Sequence, residues 1–241
     1  MAKNHWDSLI KIFKKFDLDQ FREKGEFNER LASWSAFENS TRYYKALLYE
    51  FALYLDELIK KKNRENSLIK MIKKIPNRNL GNPSTINFFG TKVSIDYLLS
   101  IEECNFCEDE LENSKIICEI GAGFGRSCHV ILSLFNIEEY IIIDLPEMIL
   151  VSKKYLSKVL NIGQFKKIRF INANDLEKIK HVDIVINISS MQEMPSKTVI
   201  KYLNWISTTS KYFFTKNAMG KYNPNDIDLE PKGENEYKSV L

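Results

Sequence analysis

One stretch of this sequence combines a carboxylate with three glycines. Glu119 stands at the end of an apolar, β-branched run, and Gly121, Gly123 and Gly125 follow it at alternate positions. Glycine has no Cβ, so it can adopt positive φ and lets a ligand lie directly against the backbone. The pattern predicts a strand, a tight turn that can hold a ligand, and a helix that begins near Arg126.

The glycine spacing disfavours a dinucleotide as that ligand. Dinucleotide-binding turns have the pattern Gly-x-Gly-x-x-Gly, in which the third glycine allows close packing of helix and strand. Arg126 occupies the position of that third glycine. The carboxylate of Glu119 suits a ligand with ammonium or sulfonium charge better than a pyrophosphate. A glycine-rich turn without any ligand is the alternative interpretation.

Polar residues also follow the next two predicted strands. A carboxylate at the position of Asp144 can accept hydrogen bonds from both hydroxyls of a ribose, and its alternative role is to cap the helix that begins at Pro146. Asn174 and Asp175 follow the third strand. They are candidates for contact with an adenine amino group, or else ordinary Asx-turn residues.

The turn after the fourth predicted strand offers groups for acceptor chemistry. A carboxylate there can take the proton of a hydroxyl, a role that contributes on the order of 10²–10⁴-fold to a rate. Glu193 is the first candidate for this base, and capping of the helix near Ser196 is its alternative role. His129, in the helix after the glycines, is the rival base; its alternative is a packed side chain.

Hydrophobic periodicity predicts an α/β chain. Residues 1–75 read as helices, the longest over 40–61, and proline at position 76 ends that region. A loop over 77–90 and a helix over 93–103 follow, and an acidic loop precedes the first strand. Strands are then predicted over 116–120, 140–144, 169–172, 182–188 and 212–215, with helices over 126–135, 146–160 and 196–208. This alternation predicts a doubly wound parallel sheet that binds ligands at the carboxyl ends of its strands.

Composition indicates one compact domain with an attached helical layer, because 44% of the 241 residues are hydrophobic. No apolar run is long enough to cross a membrane and the charged N-terminus lacks a signal-peptide core, so a soluble cytoplasmic protein without membrane insertion is expected. The four cysteines are expected to be reduced. Cys104 and Cys107 have no second pair to complete a zinc site, and the three histidines form no cluster, so no metal is expected.

Residues 59–78 carry eight basic side chains against one acidic, and the net charge of the whole chain is only +3. Such a segment can attract a phosphate-bearing substrate or a nucleic acid. A solvated helix face is the simpler interpretation.

These motifs together resemble those of the sugar O-methyltransferases, a class I S-adenosylmethionine (SAM)-dependent family of bacterial surface-glycan biosynthesis. The resemblance covers roughly residues 80–217. It rests on Glu119-Ile-Gly-Ala-Gly-Phe-Gly-Arg126, on Tyr140-Ile-Ile-Ile-Asp-Leu-Pro-Glu147 and on Ser190-Met-Gln-Glu-Met-Pro195. All class I methyltransferases share the first motif, whereas the other two are narrower.

The resemblance implies a Rossmann-like, doubly wound, mostly parallel sheet over residues 81–241, with residues 1–80 as an N-terminal helical cap. It implies SAM as cofactor and a sugar hydroxyl as acceptor, the sugar being free or linked to a nucleotide or carrier. The predicted cofactor contacts are Glu119, Gly121, Ala122, Gly123, Gly125, Asp144, Leu145, Asn174, Asp175 and Ser189. The predicted substrate contacts are Arg42, Tyr43, Tyr44, Arg126 and Gln192, and the predicted catalytic residues are Glu193 and His129.

The C-terminal part departs from the family pattern. Class I sheets usually finish with a hairpin of two further strands, but the segment after Thr215 is short and mostly polar, so this hairpin is expected to be shortened or absent. The alternatives to a sugar acceptor are another small molecule, or SAM binding without turnover. Nucleic-acid methylation is disfavoured, because the fourth strand lacks the Asn/Asp-Pro-Pro-aromatic sequence of enzymes that methylate base amines. Assembly into an oligomer is left open.

Overall fold

The computed structural model describes residues 41–217, with the backbone alone for residues 41–43. The predicted helices before residue 41 and the predicted shortening of the C-terminal hairpin lie outside the described residues. The side chains of two predicted substrate contacts, Arg42 and Tyr43, also lie outside them.

The described chain opens with helix α1 (Thr41–Lys62), whose 22 residues agree with the apolar spacing in the sequence. Helix α2 (Leu68–Lys73) follows a short connection, and the hydroxyl of Ser67 caps it by accepting the N–H of Lys70 at 3.2 Å. Leu48 and Leu55 of α1 are buried in the same hydrophobic cluster as side chains of the sheet. The first helix therefore belongs to the hydrophobic core that continues to one face of the sheet.

A β-hairpin corrects the predicted loop over residues 77–90. Strands β1 (Ile86–Phe88) and β2 (Thr91–Val93) pair antiparallel. Phe89 and Gly90 between them both have positive φ, 44° and 79°, as a two-residue hairpin turn requires. Each strand is three residues long, which is too short to show an alternating pattern, and Phe-Gly is not a common hairpin signal.

Two helices lead to the sheet. Helix α3 (Ile95–Phe106) begins two residues after the predicted start and ends three residues after the predicted end. Helix α4 (Glu108–Glu112) occupies the predicted acidic loop. Three carboxylates in its first turn favour this short helix, because they interact favourably with the positive end of the helix dipole.

Five strands form one parallel sheet in the order β5-β4-β3-β6-β7. They are β3 (Ile116–Ile120), β4 (Glu139–Asp144), β5 (Ile168–Asn172), β6 (Val182–Ile188) and β7 (Ser210–Lys216). The connecting helices are α5 (Arg126–Leu134), α6 (Pro146–Val159), α7 (Ile162–Phe165) and α8 (Ser196–Thr209), with single 3₁₀ turns at Leu176–Lys178 and Met191–Glu193. The predicted strands are confirmed, with bounds that differ by at most two residues at either end.

The strand order reverses direction at β3. From β3 the chain adds β4 and then β5 on one side, and afterwards crosses over to add β6 and β7 on the other. This arrangement is a Rossmann-like, doubly wound fold. Folds of this kind bind ligands where the order reverses, which here is beyond the carboxyl ends of β3 and β6.

Side chains of alternate residues cover the two faces of the sheet. Ile117 and Tyr140 join the hydrophobic cluster that includes α3, α5 and α6, whereas Cys118 and Ile143 join a second cluster with Tyr202 of α8. The near-continuous apolar strands of the sequence reflect this burial on both faces.

The basic segment contacts the ends of two helices. Lys62 Nζ is 3.0 Å from Glu108 Oε2, and it donates to the carbonyl of Asn105 at the end of α3. Asn77 donates to the carbonyl of Lys158 at the end of α6.

No helix between residues 41 and 217 is both long and apolar enough to cross a membrane. All four cysteines are buried and none forms a disulfide. Within the same residues no group of three or more His, Cys, Asp or Glu side chains is arranged to hold a metal ion.

A partly buried carboxylate at the start of β3 generates the first prediction. Asp183 Oδ2 accepts the N–H groups of Lys115 and Ile116, both at 2.8 Å. Desolvation raises the pKa of Asp183, but these two hydrogen bonds and the nearby His181 outweigh it, so the net pKa is lowered. Asp183→Ala should reduce the free energy of unfolding at pH 7 by about 1–3 kcal/mol, measured by urea denaturation.

Because the folded pKa is depressed, this stabilisation is present above the ordinary carboxyl value of 3.8 and is lost as the pH falls through the folded value. The difference between wild type and Asp183→Ala should therefore shrink on acidification. Glu138→Ala is the control, since its exposed carboxylate lies 3.7 Å from Lys115 Nζ and should contribute less than about 0.5 kcal/mol. Equal losses in the two variants would contradict the assignment.

Candidate functional site

Parallel pairing brings the predicted site residues to one edge of the sheet. Ile120, the last residue of β3, stands opposite Ile143 of β4 and Asn187 of β6. The next residues along these three strands are Gly121, Asp144 and Ile188. The glycine turn, the carboxylate of Asp144 and the turn after β6 are therefore neighbours in space.

The three glycines meet three different surroundings. A Cβ on Gly121 would lie 2.3 Å from Ser190 Oγ, and a Cβ on Gly125 would lie 2.8 Å from a methyl group of Leu156 in α6. A Cβ on Gly123 would meet nothing within 4 Å. Neighbouring side chains thus leave no room for a Cβ at Gly121 or Gly125. Of the three glycines, only Gly123 has its backbone next to open space.

Asp144 reaches across to this open position. Its Oδ2 accepts the N–H of Gly123 at 3.1 Å, and its Oδ1 accepts the N–H of Leu145 at 2.8 Å. Desolvation raises the pKa of Asp144 to about 7, although the backbone hydrogen bonds from Leu145, Gly123 and Ala122 oppose that rise. The carboxyl group of Asp144 therefore changes its protonation state near neutral pH.

Glu119 lies beneath the glycine turn and not on its surface. It is only 2% exposed, and it accepts the hydroxyl of Tyr140 at 2.7 Å. Burial raises the pKa of Glu119, and hydrogen bonds from Tyr140 and Ser127 act in the opposite direction. The carboxyl group of Glu119 therefore links β3 to β4 through Tyr140 and to the start of α5 through Ser127.

The residues after β5 form an Asx turn. The N–H of Asn174 donates to Asn172 Oδ1 at 3.0 Å, and Asp175 pairs with Lys178 at 2.7 Å. Asn174 is exposed and Asp175 is half-buried at the carboxyl edge of β5. Their predicted contact with the cofactor stays a prediction.

The turn after β6 begins with an unusual backbone conformation. Ser189 is exposed and has φ of 56°, a left-handed value that is uncommon for serine. The 3₁₀ turn that follows carries Gln192, which is half-buried, and Glu193, which is exposed. Positive φ in a non-glycine residue at a strand end is a frequent feature of functional sites.

His129 is placed in the protein interior. Its side chain is 0% exposed, and its Nδ1 lies 2.8 Å from the hydroxyl of Tyr97. That hydroxyl lies 2.6 Å from the hydroxyl of Tyr155, so the three side chains join α3, α5 and α6. Of the two predicted bases, only Glu193 is accessible from solvent.

Arg126 forms a buried ion pair. Its guanidinium contacts both carboxylate oxygens of Glu103, at 3.1 and 3.2 Å, and the side chains are 12% and 6% exposed. It also donates to the carbonyl of Asp96 at 3.5 Å. An acceptor contact by Arg126 would have to compete with this pair.

Tyr44, the third predicted N-terminal substrate contact, is 5% exposed in α1 and belongs to the hydrophobic cluster. Asn187 is not among the predicted site residues, although an asparagine inside the apolar run of β6 is a visible signal. Asn187 is 0% exposed and bonds to the carbonyl of Ile120 and to Asn217. No sequence pattern indicates Asn217, which follows β7, as a site residue.

The different surroundings of two glycines generate a prediction about stability. Gly121→Ala should lower the free energy of unfolding by about 1–3 kcal/mol more than Gly123→Ala does, because only the first variant places a Cβ against Ser190. Both positions have positive φ, 74° and 58°, so both variants carry a similar backbone cost of about 1–2 kcal/mol. Urea unfolding of the two variants measures the difference, and equal stabilities would contradict the close contact.

No protein-family model matches the chain, and no curated protein matches it. Among solved structures, it is similar to a Staphylococcus aureus protein assigned as a caffeoyl-CoA O-methyltransferase, with 18% identity and a TM-score of 0.48 over 78% of this chain and 85% of that one. The methyltransferase domain of bacterial CtHen1 has 14% identity and a TM-score of 0.41, over 48% of this chain and 63% of that one.

The mitomycin 7-O-methyltransferase MmcR has 13% identity and a TM-score of 0.40, over 52% of this chain and 40% of that one. The chain thus spans less than two thirds of the length of CtHen1's domain and of MmcR. Identities of this size do not carry an activity over to this chain.

Proposed function

We propose that this chain binds SAM at the carboxyl edge of its sheet and transfers the methyl group to a hydroxyl of a small molecule. The single observation that carries the proposal is the pairing of Gly123 with Asp144. It combines an open backbone shelf with a half-buried carboxylate at the point where the strand order reverses. The motif resemblance and the strand order support the same conclusion.

The residues present fit an adenosine-bearing ligand. Oδ2 of Asp144 accepts the N–H of Gly123 and Oδ1 accepts that of Leu145, and a carboxylate has about four lone-pair sites in all, so it can accept further hydrogen bonds. Asp144 can therefore receive the two hydroxyls of a ribose while it holds the glycine turn. Glu119, buried beneath the turn, accepts the hydroxyl of Tyr140 and so links the strand before the turn to β4.

The reaction needs alignment and a proton acceptor from this chain. Bound SAM supplies an electrophilic methyl group, and its departure leaves a neutral thioether. Much of the rate comes from holding the acceptor oxygen in line with that methyl group. The carboxylate of Glu193 takes the hydroxyl proton as the new oxygen–carbon bond forms, and its exposure on the 3₁₀ turn gives it access to an acceptor.

The acceptor class follows from the motif resemblance. A sugar hydroxyl, on a sugar that is free or linked to a nucleotide or carrier, is the proposed acceptor, in surface-glycan biosynthesis. The basic segment contacts the ends of α3 and α6, and this proposal gives it no part in acceptor binding. A screen of nucleotide sugars for release of S-adenosylhomocysteine tests the acceptor. Turnover on other hydroxyl compounds alone, or binding without turnover, would replace the sugar proposal.

The raised pKa of Asp144 predicts pH-dependent cofactor binding. Only the carboxylate form can accept two ribose hydroxyls, and with a pKa of about 7 roughly a tenth of the groups are ionised at pH 6 and nine tenths at pH 8. The affinity for S-adenosylhomocysteine, measured by calorimetry, should therefore rise about tenfold between these pH values and level off above them.

Asp144→Asn should weaken binding at pH 8 by about 10- to 100-fold, because a charged acceptor is replaced by a neutral one. It should also flatten the pH profile, and any slope that persists in this variant belongs to the ligand. Asp109→Asn, a change at an exposed carboxylate of α4, is the control with unchanged affinity. Wild-type affinity in Asp144→Asn would overturn the cofactor site.

Glu193→Gln separates catalysis from binding. The variant should keep its affinity for S-adenosylhomocysteine and lose about two decades in turnover, since the amide keeps the shape of the side chain but cannot take a proton. Turnover on the acceptor found in the screen and calorimetry are the two measurements. A turnover close to that of the wild type would show that Glu193 is not the base.

A further inference from the structure

Asn187 near the end of β6 and Ser190 in the turn after it both contact the last residue of β3. Asn187 Nδ2 donates to the carbonyl of Ile120 at 2.9 Å, and the hydroxyl of Ser190 donates to the same carbonyl at 3.0 Å. Asn187 also donates to Ser190 Oγ. The carbonyl that immediately precedes the glycine turn is therefore held by one side chain of β6 and one of the turn that follows β6.

Asn187 is fully occupied by this network. Its Oδ1 accepts the amide of Asn217 at 2.7 Å and the N–H of Met191 at 3.4 Å. The orientation of the Asn187 amide is assigned by these partners, because the opposite orientation would set its oxygen against the carbonyl of Ile120. Asn217 Oδ1 in turn accepts the N–H of Gln192 at 3.3 Å. The network thus extends to the backbone that carries Gln192 and Glu193.

Steric contact reinforces the hydrogen bonds. Ser190 occupies the space that a side chain at position 121 would fill, and the left-handed Ser189 precedes it at the point where the chain leaves β6. The N–H of Ser189 still donates to the carbonyl of Lys216 in β7, at 2.8 Å. The turn after β6 is therefore attached to β7 on one side and to the glycine turn on the other.

We propose that Asn187 and Ser190 are positioning residues that fix the turn bearing Glu193 against the glycine turn, so that the groups around the acceptor and the cofactor keep one relative placement. This inference rests on the proposed function. Asn187 is the cleaner probe, since its complete burial prevents contact with any ligand. A change at Asn187 can reach the cofactor only through the two turns.

Hydrogen exchange with and without S-adenosylhomocysteine tests the link without a known acceptor. In the wild type, the ligand should slow the amide exchange of residues 121–125 and also of residues 191–194. Asn187→Asp removes the N–H that donates to the carbonyl of Ile120. In this variant the ligand should still slow amide exchange at residues 121–125, but most of its effect on exchange at residues 191–194 should be lost. Ser190→Ala removes the hydroxyl alone and should show the same split, with an affinity for the ligand about three- to tenfold lower.

Ser152→Ala is the matched control, because Ser152 is a fully buried serine whose hydroxyl bonds within α6. This variant should bind S-adenosylhomocysteine with wild-type affinity, and the ligand should slow amide exchange at both residues 121–125 and residues 191–194. Slowing of residues 191–194 that survives in both Asn187→Asp and Ser190→Ala overturns the positioning role and leaves the cofactor proposal intact. Failure of the wild type to bind S-adenosylhomocysteine overturns the proposed function, and the positioning role falls with it.

Discussion

Strand β3 pairs in parallel with β4 on one side and with β6 on the other, and the site depends on this register. Ile120 stands opposite both Ile143 and Asn187, so the chain leaves all three strands at the same level. A shift of one residue in either pairing would turn every side chain of a strand to the other face of the sheet. Gly123 and Asp144 would then no longer meet.

Charge beneath the site is buried together with its partners. Glu119 has Tyr140 and Ser127, and Arg126 has Glu103, which also contacts Lys216 Nζ at 3.3 Å. Removal of one partner of a buried pair leaves an uncompensated charge and typically costs about 3–5 kcal/mol. The start of α5 is therefore held from below, and the open backbone of Gly123 lies above a rigid base.

The glycines of one motif are needed for different physical reasons. Its three glycines look alike in sequence, but their surroundings differ. Ser190 fills the space beside Gly121 and Leu156 fills the space beside Gly125, whereas of the three Gly123 alone leaves room for a ligand. The contact at Gly121 also joins two turns that carry different parts of the proposed chemistry. Gly121 thus allows close packing and also helps to fix the turn that would hold the cofactor relative to the turn that carries Glu193.

The amino-acid sequence by itself determined the strands, their order of appearance and the carboxylates at their ends, because buried parallel strands and helix starts leave strong local patterns. It did not indicate the hairpin of Ile86–Phe88 and Thr91–Val93, whose strands are too short for a periodic signal. Only the tertiary structure decided which polar groups face solvent and which are buried. Glu193 is the first candidate base in sequence and His129 its rival. Packing of α5 against α3 and α6 buries His129, and the turn after β6 exposes Glu193. Asn187 gained its place in the network from residues up to 67 positions away, and such long-range contacts are invisible to local patterns.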